Sequence, residues 1–173
     1  MILFKAAVVA LLCGNAVYFI LAGATTEALD ASAWLALLVL FDAETRYADR
    51  LRNARVRFAL RISRLAAAAM VVGAALGYVF QDNRLDAINS AVWIAVVVLL
   101  EIQTRYPHAV ARSRMTHTVV AATLYGALGV IVLVWAWRAE WFDAYDALLW
   151  IVAFAFIEID AMAKACTPGV RPD

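Results

Sequence analysis

The sequence predicts an all-α integral membrane protein, a bundle of about six transmembrane helices built as three two-helix repeats around a pseudo-threefold axis. Three observations carry that expectation. Of the 173 residues, 66% are hydrophobic and the mean hydropathy is +0.80, more apolar surface than a one-domain soluble fold can hide. The apolar residues fall in runs of spanning length, separated by short charged or polar stretches. Charge is segregated by connection, arginines crowding some and acids the others.

A bilayer core needs roughly 20 residues of helix, and the apolar runs place helices near 4–24, 29–48, 64–81, 87–106, 117–138 and 144–165. The first has features of a cleaved signal peptide, since Lys5 precedes an apolar stretch ending in Ala22, Gly23 and Ala24. Its apolar part, Ala6 to Ala22, is long for a signal core and close to spanning length. It is therefore read as the first transmembrane helix. Between the second and third helices stand Arg46, Arg50, Arg52, Arg55, Arg57, Arg61 and Arg64, and between the fourth and fifth Arg105, Arg112 and Arg114. Such connections stay in the cytoplasm. The alternate connections carry Glu27 and Asp30, Asp82 and Asp86, and Glu140, Asp143 and Asp146 against only Arg84 and Arg138. They belong on the other side, which puts both termini in the cytoplasm. High alanine and arginine content with this charge bias suits a bacterial inner membrane.

The even-numbered helices align without gaps: Asp30 to Arg46 reads DASAWLALLVLFDAETR, Asn89 to Arg105 reads NSAVWIAVVVLLEIQTR, and Asp146 to Met162 reads DALLWIVAFAFIEIDAM. Each has a polar residue four before a tryptophan (Trp34, Trp93, Trp150) and an acid eight after it (Asp42, Glu101, Glu158). The position ten after is Glu44, Gln103 or Asp160. The period of roughly 60 residues makes each unit one helical hairpin, with repeats over 4–48, 64–106 and 117–165. Units of one orientation arrange around an axis along the membrane normal. The third copy departs by placing Met162 where the others have arginine, with Lys164 two residues on.

Eight residues of helix cover about 12 Å. With the tryptophans at one interface, Asp42, Glu101 and Glu158 fall well inside a core about 30 Å thick. Charged groups at that depth face protein or water rather than lipid. Two roles follow. Asp42 with Arg46, Glu101 with Arg105 and Asp160 with Lys164 have the i to i+4 spacing of ion pairs on one helix face, which makes inner helix ends tolerable. Alternatively the symmetry-related acids converge on the axis as a cation or proton site, and the pairs gate it. The residues expected to bind or gate an ion or solute are thus Asp42, Glu44, Arg46, Glu101, Arg105, Glu158, Asp160 and Lys164. Three two-helix repeats with acid and base pairs at one end is similar in plan to the mitochondrial carriers. Those have a proline-based motif on odd-numbered helices and longer repeats, so the likeness assigns no family.

Small residues at four-residue spacing, Ala69, Gly73 and Gly77 in the third helix and Ala122 and Gly126 in the fifth, let backbones approach closely, inside the bundle or between copies. Asn15 inside the first helix requires a partner from another helix. Residues 49–65 read as an amphipathic helix with Arg50, Arg57, Arg61 and Arg64 on one face and Leu51, Phe58, Ile62 and Leu65 on another. This is either a positive-inside connection or a surface for anionic lipid head groups.

Several classes find no support. A net charge of +1 lacks the concentrated basic surface nucleic acid requires. Cys13 and Cys166 make no zinc spacing, and His108 and His117, both in one connection, make no transmembrane haem pair. No phosphate loop, nucleophile with base, or HExxH pattern is present, so no cofactor and no enzymatic activity are expected. The sequence leaves two readings: a transport or channel-type protein for a cation, proton or small solute, or a non-catalytic accessory subunit of a larger membrane complex. The lipid bilayer is the common partner, with a homo-oligomer or partner membrane subunits as further ones.

Overall fold

The computed structural model describes residues 2–46 and 53–165, and within them all side chains except those at 2–5, 42, 44–46, 104, 107, 109 and 156–165. The fold is all-α. Among the described residues there are seven helices: α1 (Ile2–Ala22), α2 (Thr25–Arg46), α3 (Ala54–Phe80), α4 (Arg84–Arg105), α5 (Pro107–Arg112), α6 (Arg114–Trp137) and α7 (Trp141–Ala165). Three segments, Ala54–Phe80, Arg84–Gln103 and Arg114–Trp137, are long and apolar enough to cross a membrane, and Ala6–Ala22 is a shorter apolar helix. Their outward faces carry large apolar side chains, Phe80 at 87% and Trp137 at 91% exposure among them. Such surface fits a lipid environment and is foreign to a soluble monomer.

The third helix differs most from its expected bounds. Instead of opening near residue 64 it starts at Ala54, so Arg55, Arg57, Arg61 and Arg64 belong to its first turns, and the amphipathic helix expected over 49–65 is from residue 54 on the start of α3, residues 49–52 lying outside the described ones. Asn53 caps it, with Oδ1 accepting the Arg55 backbone N–H at 2.9 Å, and arginine is a good helix former. Its 27 residues measure about 40 Å at a helical rise of about 1.5 Å, more than a core of about 30 Å requires. The short α5 was not anticipated. Pro107 occupies its first position, where a missing N–H costs no intrahelical bond.

Tight turns set the helix pairs. After α3, Asp82 N–H bonds Val79 carbonyl at 3.2 Å and Asn83 N–H bonds Tyr78 carbonyl at 3.0 Å, with Asp82 at φ 54°. After α6, Ala139 N–H bonds Ala136 carbonyl at 3.1 Å and Glu140 N–H bonds Trp135 carbonyl at 3.0 Å, with Ala139 at φ 60°. Both are Schellman motifs, in which one left-handed residue lets the last orphan carbonyls find donors. The α1–α2 turn works differently. Glu27 Oε2 accepts the Ala24 backbone N–H at 2.8 Å, the glutamate half of a capping box. A Cβ on Gly23 would stand 2.7 Å from both that carboxylate and the Phe19 carbonyl. Only glycine fits there.

The chain divides into two compact units, Cys13–Val98 and Met1–Leu12 with Leu99–Asp173. In the first, α2 packs on α3. Gln81 Nε2, at the end of α3, donates to Thr26 Oγ1, at the start of α2, over 2.6 Å. A Cβ on Gly77 would lie 2.9 Å from Thr26 Cγ2, so the two helices run antiparallel at close approach. Because α4 starts three residues after Gln81, it sets out from the same end as α2. The Trp34 and Trp93 rings meet with centroids 6.2 Å apart, so α2 and α4 run parallel and in step. In the second unit α6 packs on α7, burying Leu128, Ile131 and Trp135 on one helix and Ala144, Ala147, Leu149, Ala153 and Phe154 on the other.

Candidate functional site

Of the acids and bases singled out by the sequence, Glu101 and Arg105 have described side chains. Arg105 Nε donates to Glu101 Oε1 at 2.6 Å, and Nη2 lies 2.6 Å from the same oxygen. The pair has the i to i+4 geometry expected of it and sits in the last turns of α4. Glu101 is 38% exposed and Arg105 66%, so the guanidinium reaches outward while the carboxylate is turned partly inward. Asp42, Glu44 and Arg46 fall in α2 and Glu158, Asp160 and Lys164 in α7. Their side chains lie outside the described ones, as does Arg50.

The buried polar side chains lie elsewhere. Among the described residues with less than a tenth of their surface exposed, the polar ones are Asn15 at 8%, Thr26 at 9% and Ser90 at 1%. All three belong to the Cys13–Val98 unit and to its end that carries the α1–α2 and α3–α4 turns. Ser90 and its neighbour Asn89 stand one turn before Trp93, and Asp30 stands one turn before Trp34. Asp30 and Asn89 thus each stand four residues before a member of the touching Trp34–Trp93 pair. Asn15 precedes the end of α1 by seven residues, about 10 Å of helix, which brings it to similar depth.

In this layer Asn89 Oδ1 and Ser90 Oγ have no hydrogen-bond partner and are shut off from solvent. A helical serine ordinarily satisfies its hydroxyl on the carbonyl one turn back. Thr123 in α6 does so, with Oγ1 donating to the Val119 carbonyl at 2.8 Å. Ser90 does not. A buried polar atom left unmatched in apolar surroundings is unfavourable.

The sequence flagged the polar residue before each tryptophan only as a repeat marker and passed over Ser90. The available signal was the Asn89–Ser90 pair, two polar residues one turn before a tryptophan in an otherwise apolar helix. The small-residue stripe of α3 divides: Gly77 packs against Thr26, whereas Ala69 and Gly73 are exposed and nothing lies within 4 Å of a Cβ built on Gly73. Ala122 and Gly126 on α6 are likewise exposed. Arg57 and Arg61 are exposed on the first turns of α3, as are Phe58, Ile62 and Leu65. His117 keeps Nε2 buried without a partner. Among the described residues no three His, Cys, Asp or Glu side chains gather to hold a metal ion.

Comparison with protein-family models, with characterised proteins and with solved structures finds no match.

Proposed function

We propose that the chain is a small transport or channel-type protein that binds or moves a cation, proton or small solute across a bacterial inner membrane, through a bundle of three helical hairpins with both termini in the cytoplasm. The observation that carries this reading is the burial of Asn15 and Ser90 inside apolar helices, where polar groups are costly and mark pathways. The helix starts support the hairpin repeat. Trp34, Trp93 and Trp150 each stand nine residues after the first residue of α2, α4 and α7. The positive connections, and with them Arg57, Arg61 and the Glu101–Arg105 pair, then face the cytoplasm. There the pairs Asp42 with Arg46, Glu101 with Arg105 and Asp160 with Lys164 close the inner end as a gate, and Arg50, Arg57, Arg61 and Arg64 meet anionic head groups.

Reconstituted vesicles test the reading. Cation or proton flux is expected from the wild-type protein. Glu101→Gln, which removes one charge of the gate at nearly constant volume, should change that flux by at least about tenfold while the protein elutes and melts as a folded species. Wild-type vesicles that pass neither cation nor proton overturn the ion-transport reading, and an unaltered flux in Glu101→Gln removes the gate.

A second reading, an accessory subunit, is favoured by the open small-residue faces at Ala69 and Gly73 and at Ala122 and Gly126, which suit close packing by another transmembrane helix. Native mass spectrometry after gentle extraction separates the two. A stoichiometric protein partner supports the accessory role, and a lone monomer or homo-oligomer supports the transporter.

A further inference from the structure

The turn-bearing end of the Cys13–Val98 unit combines a carboxylate, an amide oxygen and a hydroxyl at one level. Asp30 on α2 and Asn89 on α4 are each four residues before a tryptophan, and the two tryptophan rings touch with centroids 6.2 Å apart. Ser90 and Trp93 are both buried, three residues apart on one face of α4, and Trp93 is the residue that meets Trp34 of α2. Ser90 is 1% exposed, and neither its hydroxyl nor Asn89 Oδ1 has a partner. Below the layer the paired indoles form a floor. Above it, one turn nearer the helix start, Thr26 Oγ1 is held by Gln81.

We infer that Asp30, Asn89 and Ser90 bind a dehydrated alkali-metal cation, one helical turn above the Trp34–Trp93 pair. Carboxylate, amide carbonyl and hydroxyl are hard oxygen donors, which suit such ions and not the soft metals that need thiolate or imidazole. Calcium and magnesium sites draw on several carboxylates or keep several waters. This cluster offers one carboxylate, whose single charge matches a monovalent ion. The cation gives the Asn89 oxygen and the Ser90 oxygen the partner that the protein does not. The inference concerns binding and rests on the transport reading only for its biological use. It places the ion among residues distinct from the Asp42, Glu101 and Glu158 set.

The test is thermal unfolding of the purified full chain in mild detergent, in choline chloride replaced at constant ionic strength by lithium, sodium or potassium chloride, together with equilibrium binding of radioactive sodium. The melting temperature should rise with at least one alkali cation and saturate, because a ligand of the folded state stabilises it by mass action. Asp30→Asn should abolish that rise, and Ser90→Ala should weaken the apparent affinity roughly fivefold or more. Should Asp30→Asn fail to fold, Asn89→Asp serves instead. It keeps every oxygen donor, adds a second charge, and should tighten binding and admit calcium as a competitor. Equal melting temperatures in choline and all three alkali salts overturn the inference, as does an alkali effect that survives Asp30→Asn or is untouched by Asn89→Asp. In these cases the layer holds ordered water only. Saturable binding without flux in vesicles would sustain the site and sink the transport reading, and flux without binding would do the reverse.

Discussion

The Cys13–Val98 unit and the Leu99–Asp173 unit contain the same kind of helix-to-helix turn and bury different chemistry behind it. Both Schellman turns join their helices through three residues, Gln81 to Asn83 and Arg138 to Glu140. Behind the second, every described side chain with less than a tenth exposed is apolar, from Leu128, Ile131 and Trp135 to Ala153 and Phe154. Behind the first lie Asn15, Thr26 and Ser90 among Val71, Ala74 and Trp93. Helix packing in lipid gains no hydrophobic term between helices and depends on van der Waals fit and hydrogen bonds. The all-apolar core draws on van der Waals fit alone, whereas the polar one adds an interhelical hydrogen bond from Gln81 to Thr26 and keeps Ser90 Oγ buried without a partner.

The difference implies that the two cores respond differently to loss of atoms. Leu128, 1% exposed on the α6 face buried within its unit, should be the most sensitive position. Leu128→Ala leaves a cavity that tight packing cannot close, and about 3 kcal/mol of unfolding free energy should disappear. Unfolding in mixed micelles titrated with a denaturing detergent measures it. A loss under about 1 kcal/mol would mean that the α6–α7 core is loosely packed, and the contrast between the units would fall.

A smaller effect is expected where α2 and α3 approach. Gly77→Ala puts a Cβ 2.9 Å from Thr26 Cγ2 and 3.2 Å from Thr26 Oγ1. Thr26 can yield only by turning away from Gln81, since its hydroxyl is the acceptor of the 2.6 Å bond. The expected cost is about 1–2 kcal/mol, from strain and a weakened hydrogen bond together. The same titration reads it, and Thr26→Ser in the Gly77→Ala background should recover part of the loss by removing the methyl that clashes.

Much of this architecture could be read from residue order alone. Apolar runs located the six long helices to within a few residues at most ends, because membrane length and hydropathy constrain them strongly. The tryptophan spacing marked positions that prove level in α2 and α4. The start of α3 was divided between a spanning helix from residue 64 and an amphipathic helix over 49–65, because arginine is equally at home in a polar connection and in a helix, and the local cap at Asn53 decides where the one continuous helix begins. The turns were hidden for another reason. Their left-handed positions hold Asp82 and Ala139 where glycine would have given the signal. The burial of Ser90 was not legible either. It depends on which face of α4 is covered, a tertiary fact, and a single serine in a helix is neutral as a sequence feature. For Asp42, Glu44, Glu158 and Asp160 the sequence still stands alone, since their side chains lie outside the described ones.

The smallest expected effect is also the sharpest control. Gly73 lies one turn before Gly77 on α3, and a Cβ there meets nothing within 4 Å. Gly73→Ala should therefore leave stability unchanged or raise it by up to about 1 kcal/mol, the difference in helix propensity between the two residues. The same substitution one turn apart thus has opposite signs, set by whether α2 lies against the backbone. Gly73→Leu carries the comparison into the membrane. If no other chain covers this face, leucine meets only lipid and the folded protein tolerates it. If a second copy or a partner subunit packs there, the larger side chain separates the backbones, and the assembly seen by native mass spectrometry is lost while the single chain still melts as a folded species.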